Sequence, residues 1–300
     1  MPDSPRMATN DPIDISPFFL EGAHASLFCL RLAPRSRPPR GGILYVPPFA
    51  EEMHKSRRMA ALQARALAAC GYEVLQIDPT GCGDSGGDFR DASWSVWRDD
   101  VRVAYARLAE STGGAVSLWG LRTGAVLAAE VSQSLAGVQS VVLWQPVASG
   151  DLFLNQFLRI KLASEMLTGG QAQSGTKQLR AQLEQGQAVE VGGYMLSPAM
   201  AMELAALRLT DMTPGCPTYW LEVGAQAGEH VTPASQRVID AWRGRGVPVA
   251  GRTVRGDPFW VTQEISECPE LLVWPGCPDM PGGELAMAPC LAADSMGVAA

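Results

Sequence analysis

Short, wholly apolar runs alternate along this chain with longer stretches of helical periodicity. Gly42-Ile43-Leu44-Tyr45-Val46 is apolar throughout, the pattern of a strand buried on both faces. Residues 55–69 then bring Met59, Leu62, Leu67 and Ala68 to one side at helical spacing, and Gly71 ends the run. The alternation continues with a strand over 72–78, a helix over 94–109, a strand over 115–119, a helix from Thr123 to about Leu135, and a strand over 140–144. An earlier strand falls within 18–32, where polarity alternates around 25–32. Strands and helices at crossover spacing predict an α/β fold, a mostly parallel sheet with helices on both faces.

The order breaks near Gly150. Residues 151–212 read mostly as helix, interrupted at Gly169-Gly170 and Gly192-Gly193, and are expected to form a helical cap insertion. Strand over 217–223, helix over 233–243, strand over 247–254 and a last helix over 265–272 return to the first pattern. The expected division is a core of 18–150 and 213–274, a cap of 151–212, and disordered ends at 1–14 and 275–300, where periodicity is lost.

Bulk properties narrow the classes. The 300 residues are 47% apolar and 18% charged, enough for a sizeable core. A net charge of -7 argues against a partner such as nucleic acid, which calls for a basic face. No run reaches the ~18 apolar residues of a membrane span, and the first residues lack a secretory pattern. Seven cysteines, an odd number without C-x-x-C spacing, suit free thiols in a reducing compartment, so a cytoplasmic location is expected. With three histidines, neither a metal site nor a cofactor is expected.

The candidate chemistry centres on Trp119-Gly120-Leu121-Arg122-Thr123-Gly124, where a strand turns into a helix within about three residues. This has the outline of a nucleophile elbow, G-x-S-x-G, with Arg122 in the serine's place. Arginine is no nucleophile, because its guanidinium stays protonated and only donates. With the glycine-rich loop Asp78-Pro79-Thr80-Gly81-Cys82-Gly83-Asp84-Ser85, the chain resembles the α/β-hydrolase fold. The segments from Tyr45-Val46-Pro47-Pro48-Phe49-Ala50-Glu51-Glu52 to Ser56-Arg57-Arg58, Gly81-Cys82-Gly83-Asp84-Ser85, Trp119-Gly120-Leu121-Arg122 and Leu143-Trp144-Gln145-Pro146 are similar to the exosortase A system-associated hydrolases of the second type. That resemblance spans about residues 18–272. It implies an α/β-hydrolase-like protein of bacteria that make exopolysaccharide and sort proteins by a C-terminal anchor signal, and it supplies no substrate.

The fold's usual triad places a nucleophile, an acid and a histidine in that chain order. Here Arg122 holds the first place, Glu222 and Glu229 lie near the second, and no histidine follows the last strand. Cys82 has no local cation to activate its thiol, Thr123 suits helix capping, and Ser85 suits turn hydrogen bonds. Pro47-Pro48-Phe49-Ala50-Glu51-Glu52 occupies the loop that would lend an oxyanion donor, and it brings carboxylates instead. An ion pair of Arg122 with Glu51 or with Glu52 is the expected compensation. Such a pair either plugs the old site or lines a ligand pocket, and unconventional acid–base catalysis by Glu51, Glu52 or His54 is a third reading. Phe49, Trp119, Trp144 and Trp260, at or beyond strand ends, are candidate binding residues for a sugar ring or acyl chain. The expected function is to bind or process a carbohydrate or lipid-linked intermediate, against a non-catalytic interaction protein with a paralogous hydrolase as partner.

Overall fold

The apolar runs become the central strands of one sheet. The computed structural model describes residues 12–167 and 175–277 together with Met280, Gly283 and Leu285. In chain order the elements are β1 (Ile13–Glu21), β2 (Ser26–Pro34), β3 (Gly42–Val46), α1 (Glu51–Ala69), β4 (Glu73–Ile77), α2 (Trp94–Thr112), β5 (Val116–Leu121), α3 (Thr123–Ser132) and β6 (Val138–Trp144). The insert follows, with α4 (Gly150–Leu167), α5 (Thr176–Glu184), β7 (Val189–Val191), β8 (Tyr194–Leu196) and α6 (Pro198–Ala206). β9 (Thr218–Gly224), α7 (Pro233–Gly244) and β10 (Val249–Arg255) complete the core. The eight-stranded sheet runs β1-β2-β4-β3-β5-β6-β9-β10. It is parallel from β4 to β10, and β1 and β2 join its edge antiparallel.

Strand alternation gives the sheet two apolar faces. Leu44, Val46, Leu118, Val141, Leu143 and Trp220 meet α2, α3, α7 and the insert. Ile43, Tyr45, Trp119, Leu121, Val142, Trp144 and Leu221 meet α1 and the C-terminal segment.

Several expectations at the element level are corrected. The early strand is a hairpin, and Ile13 and Asp14 already belong to β1. Pro17 disguises that strand, which tolerates it because β1 lies at the sheet's edge. α1 starts four residues before the apolar periodicity does, at Glu51, and its first turn takes up Glu51 and Glu52, where the helix dipole favours carboxylates. The insert is not helical throughout: Gly192 and Gly193, at φ 57° and 89°, make the two-residue turn of the β7–β8 hairpin. Gly169-Gly170 lies outside the described residues.

The helix expected over 265–272 is a single 3-10 turn, Pro269–Leu271. Pro269 offers no N–H, and Cys268 before it is held outside helical backbone at φ -124°, ψ 83°. Past Pro275 the chain still contributes to the core, since Cys277, Met280 and Leu285 are buried beside Trp274. Of the expected disordered ends, residues 1–11, 278, 279, 281, 282, 284 and 286–300 lie outside the described residues.

Candidate functional site

β5 ends where Leu121 hands over to Arg122, and α3 begins at Thr123. Arg122 sits at the apex with φ 57° and ψ -117°, a backbone region costly for any side chain. A Cβ at Gly120 would stand 2.4 Å from the Gly124 carbonyl oxygen, and one at Gly124 would stand 2.2 Å from that of Val46. Both glycines are therefore demanded by the close passage of strand, turn and helix. The Arg122 N–H donates to the Trp144 carbonyl at 2.9 Å, which fixes the apex against the end of β6.

The guanidinium meets Glu52 from the first turn of α1. Arg122 Nε donates to both carboxylate oxygens, at 3.2 and 3.3 Å, and the two side chains are only 16% and 15% exposed. Trp260 and Phe153 flank the guanidinium, their ring centroids 5.5 and 6.0 Å from its central carbon. Burial pushes the Glu52 carboxyl above its ordinary range, and Arg122 pulls it back in part.

The pair opens on a cavity of about 460 Å³. Phe49, Phe153, Phe157, Ile160, Tyr194 and Trp260 line it with rings and apolar side chains, while Glu51, Glu52, Lys55, Gln156 and Arg122 supply the polar groups. Tyr194 donates its hydroxyl to Glu51 at 3.4 Å, and burial raises its pKa, with the Glu51 charge adding to the effect. Lys55 donates to the Val261 carbonyl at 3.4 Å.

The structure thus brings together five of the sequence's candidates: Arg122, Glu51, Glu52, Phe49 and Trp260. Three lie elsewhere. His54 is exposed and stacks at 6.5 Å on Tyr194, outside the cavity wall. Trp119 and Trp144 pack on each other at 4.8 Å in the core toward α1, fully buried and away from the cavity. Strand alternation sends both rings to that face, so nearness to a strand end did not put them in the crevice. The sequence reading missed Phe153, Phe157 and Tyr194. The first two stand four apart on α4, a helical spacing that marks one shared face.

The family model described as serine aminopeptidase, S33, matches residues 37–190, just over half of the chain. The chain belongs to the S33 serine aminopeptidase family. No curated protein matches it at the level of sequence. Solved structures agree on the α/β-hydrolase fold. Est1E from Butyrivibrio proteoclasticus, with ferulic acid bound, superposes with a TM-score of 0.63 at 13% identity, over 83% of this chain and 93% of that one. The α/β hydrolase domain-containing protein 10 from mouse gives 0.52 at 16% identity, over 81% and 89%. Proline iminopeptidase from Mycobacterium smegmatis gives 0.52 at 16% identity, over 82% and 92%.

Within this S33 chain the other conspicuous polar groups are tied up in structure. Glu222, on β9, is buried and accepts from the Thr232 N–H at 2.7 Å and from the Thr232 and Ser235 hydroxyls, so it anchors the start of α7. Glu229 is exposed. Beyond β10, Trp260 lies against Arg122, and Phe259 packs behind it in the core. In the glycine-rich loop, Asp78 pairs with Arg57 at 2.9 Å and accepts from the Asp84 N–H at 3.1 Å. Ser85 donates to the Asp78 carbonyl and accepts from the Phe28 N–H at 2.8 Å. Burial, reinforced by Asp78 and Asp100, pushes the Cys82 thiol up to about 12, which leaves it protonated and inert.

Proposed function

We propose that this S33-family chain has a degenerate Ser-His-Asp triad and binds an amphipathic small molecule, without forming an acyl-enzyme. The observation that carries this reading is the Arg122–Glu52 ion pair at the elbow apex, opening on a cavity with aromatic walls. An arginine at the apex cannot attack a carbonyl. Trp260 stands beside it in the segment where the fold would bring a histidine, and Glu222 is engaged at α7. Phe49, Phe153, Phe157 and Trp260 suit an apolar body, and Arg122 and Glu52 suit a polar head.

The ligand class proposed is a carbohydrate or lipid-linked intermediate, and the apolar wall favours its lipid part. The resemblance to the exosortase A system-associated hydrolases motivates this choice, together with a cytoplasmic setting in exopolysaccharide-producing bacteria and a catalytically intact paralogue as partner. That Est1E is known with ferulic acid bound agrees with a cavity of this fold accepting an aromatic acid. No helix among the described residues is long and apolar enough to cross a membrane.

A second reading, hydrolysis at a nonstandard carboxylate site, is favoured by one observation: burial holds the cavity-lining Glu52 carboxyl above its usual range, as a general acid requires. Turnover of short-chain p-nitrophenyl esters separates the two. The binding reading expects no turnover above the uncatalysed rate. Turnover abolished by Glu52→Gln would establish the second reading, and turnover abolished by replacing a single serine would sink both.

A further inference from the structure

Arg122 meets Glu52 through only part of its hydrogen-bonding capacity. Both Glu52 oxygens converge on Nε. Nη1 reaches the Gln145 carbonyl at the long distance of 3.5 Å, and Nη2 has no hydrogen-bond partner among the described residues. A guanidinium carries five N–H groups in a planar fork, and its Nη1–Nη2 edge matches the two oxygens of a carboxylate. That edge belongs to a residue lining the cavity, and the rings of Phe153 and Trp260 lie 6.0 and 5.5 Å from the guanidinium carbon.

The charge on the wall limits what can approach. Glu51, Glu52, Lys55 and Arg122 all line the cavity, and their four formal charges cancel. A monoanion gains the Arg122 edge and meets the two nearby carboxylates with a single charge, whereas a dianion meets them with two and doubles that repulsion. Around that edge the wall is Phe49, Phe153, Phe157 and Trp260. At the mouth Ile160 and Val261 stand 47% and 52% exposed, so an apolar chain longer than the cavity would still find apolar contact on leaving it.

We propose that the cavity binds a monocarboxylic acid with an apolar body, of the medium-chain or aryl class. Its carboxylate takes the Nη1–Nη2 edge of Arg122, and its body lies along Phe49, Phe153, Phe157 and Trp260. This rests on the reading that the elbow binds and does not acylate. Glu52 is then a competitor as well as a partner, since it shares the guanidinium with the ligand.

The test is calorimetric titration of the full chain at neutral pH with decanoate, decan-1-ol and decyl phosphate, each below its aggregation concentration. Decanoate is expected to bind one to one, about tenfold or more tighter than the alcohol or the phosphate, the worth of one charge-assisted pair. Arg122→Gln brings decanoate down to the level of the alcohol. Glu52→Gln, which removes the competing charge and leaves the guanidinium in place, tightens decanoate. Equal binding of alcohol and acid, no binding of any of the three, or weaker decanoate binding by a folded Glu52→Gln variant would overturn the inference. Ester turnover by the same preparation keeps the two levels apart. Failure of decanoate without turnover removes only the ligand class, and serine-dependent turnover removes the reading beneath it.

Discussion

Among the described residues, three that are not glycine hold a positive φ, Ala50 at 51°, Arg122 at 57° and Gln145 at 44°, and they follow β3, β5 and β6 at the same end of the sheet. Strain of this kind persists only where its surroundings over-determine it. The Arg122–Glu52 pair is part of those surroundings, and breaking it tests its weight. Arg122→Gln leaves a largely buried carboxylate without its cation, at an expected cost of about 3 kcal/mol at neutral pH, the low end of the buried-pair range because both side chains keep some water contact. The sign with pH follows from Glu52. Burial raises its folded pKa above the unfolded value, so the folded state holds the proton more tightly, and ionisation is a cost that grows as pH rises through that interval. Removing Arg122 raises the folded pKa further and widens the interval. Urea denaturation across pH should therefore show the variant regaining stability on acidification, and Arg122→Gln with Glu52→Gln regaining most of it at neutral pH. A pH-independent loss would contradict this account. Gly124→Ala is expected to cost about 3 kcal/mol or more in thermal unfolding, because its Cβ would meet two backbone carbonyls, of Val46 and Pro47, that cannot step aside.

At the scale of elements, Phe49 joins the β3–α1 loop to the insert. Its ring lies 5.1 to 5.7 Å from Phe157, Phe89, Trp97 and Phe153, on α4, on α2 and on the turn before α2. Phe49→Ala is expected to cost about 3–5 kcal/mol in chemical denaturation, and a loss under about 1 kcal/mol would show that the loop repacks without it. These elements were not equally legible in the sequence. β3 and the last four residues of β6, Val141 to Trp144, could be read because burial on both faces makes them continuously apolar. β1 was hidden by Pro17, which only an edge position permits, and the helix expected before Leu272 was broken by Pro269. The elbow, the two glutamates, Phe49 and Trp260 were legible because a strand-turn-helix leaves little freedom in where its apex points. Phe153, Phe157 and Tyr194 were not, since the path of the insert is decided by tertiary packing that no local period records. Trp119 and Trp144 went the other way, because strand parity turns both into the core.

Over the whole molecule, four thiols are withdrawn from solvent. Burial pushes the Cys29 and Cys82 thiols up to about 12 and those of Cys216 and Cys268 to about 11. These four cysteines should therefore resist iodoacetamide in the folded chain under mildly alkaline conditions and react fully once it is unfolded. Peptide mapping checks this, and rapid native alkylation of Cys82 would show that its loop opens. The S33 fold keeps the strand-turn-helix geometry that other members of its superfold share, while the apex residue decides which chemistry that geometry can serve. The central claim is that this apex binds and does not acylate. It meets its most direct test in the intact mass of the folded chain after incubation with an alkyl fluorophosphonate. The account predicts an unchanged mass; a stoichiometric adduct on one serine would contradict it.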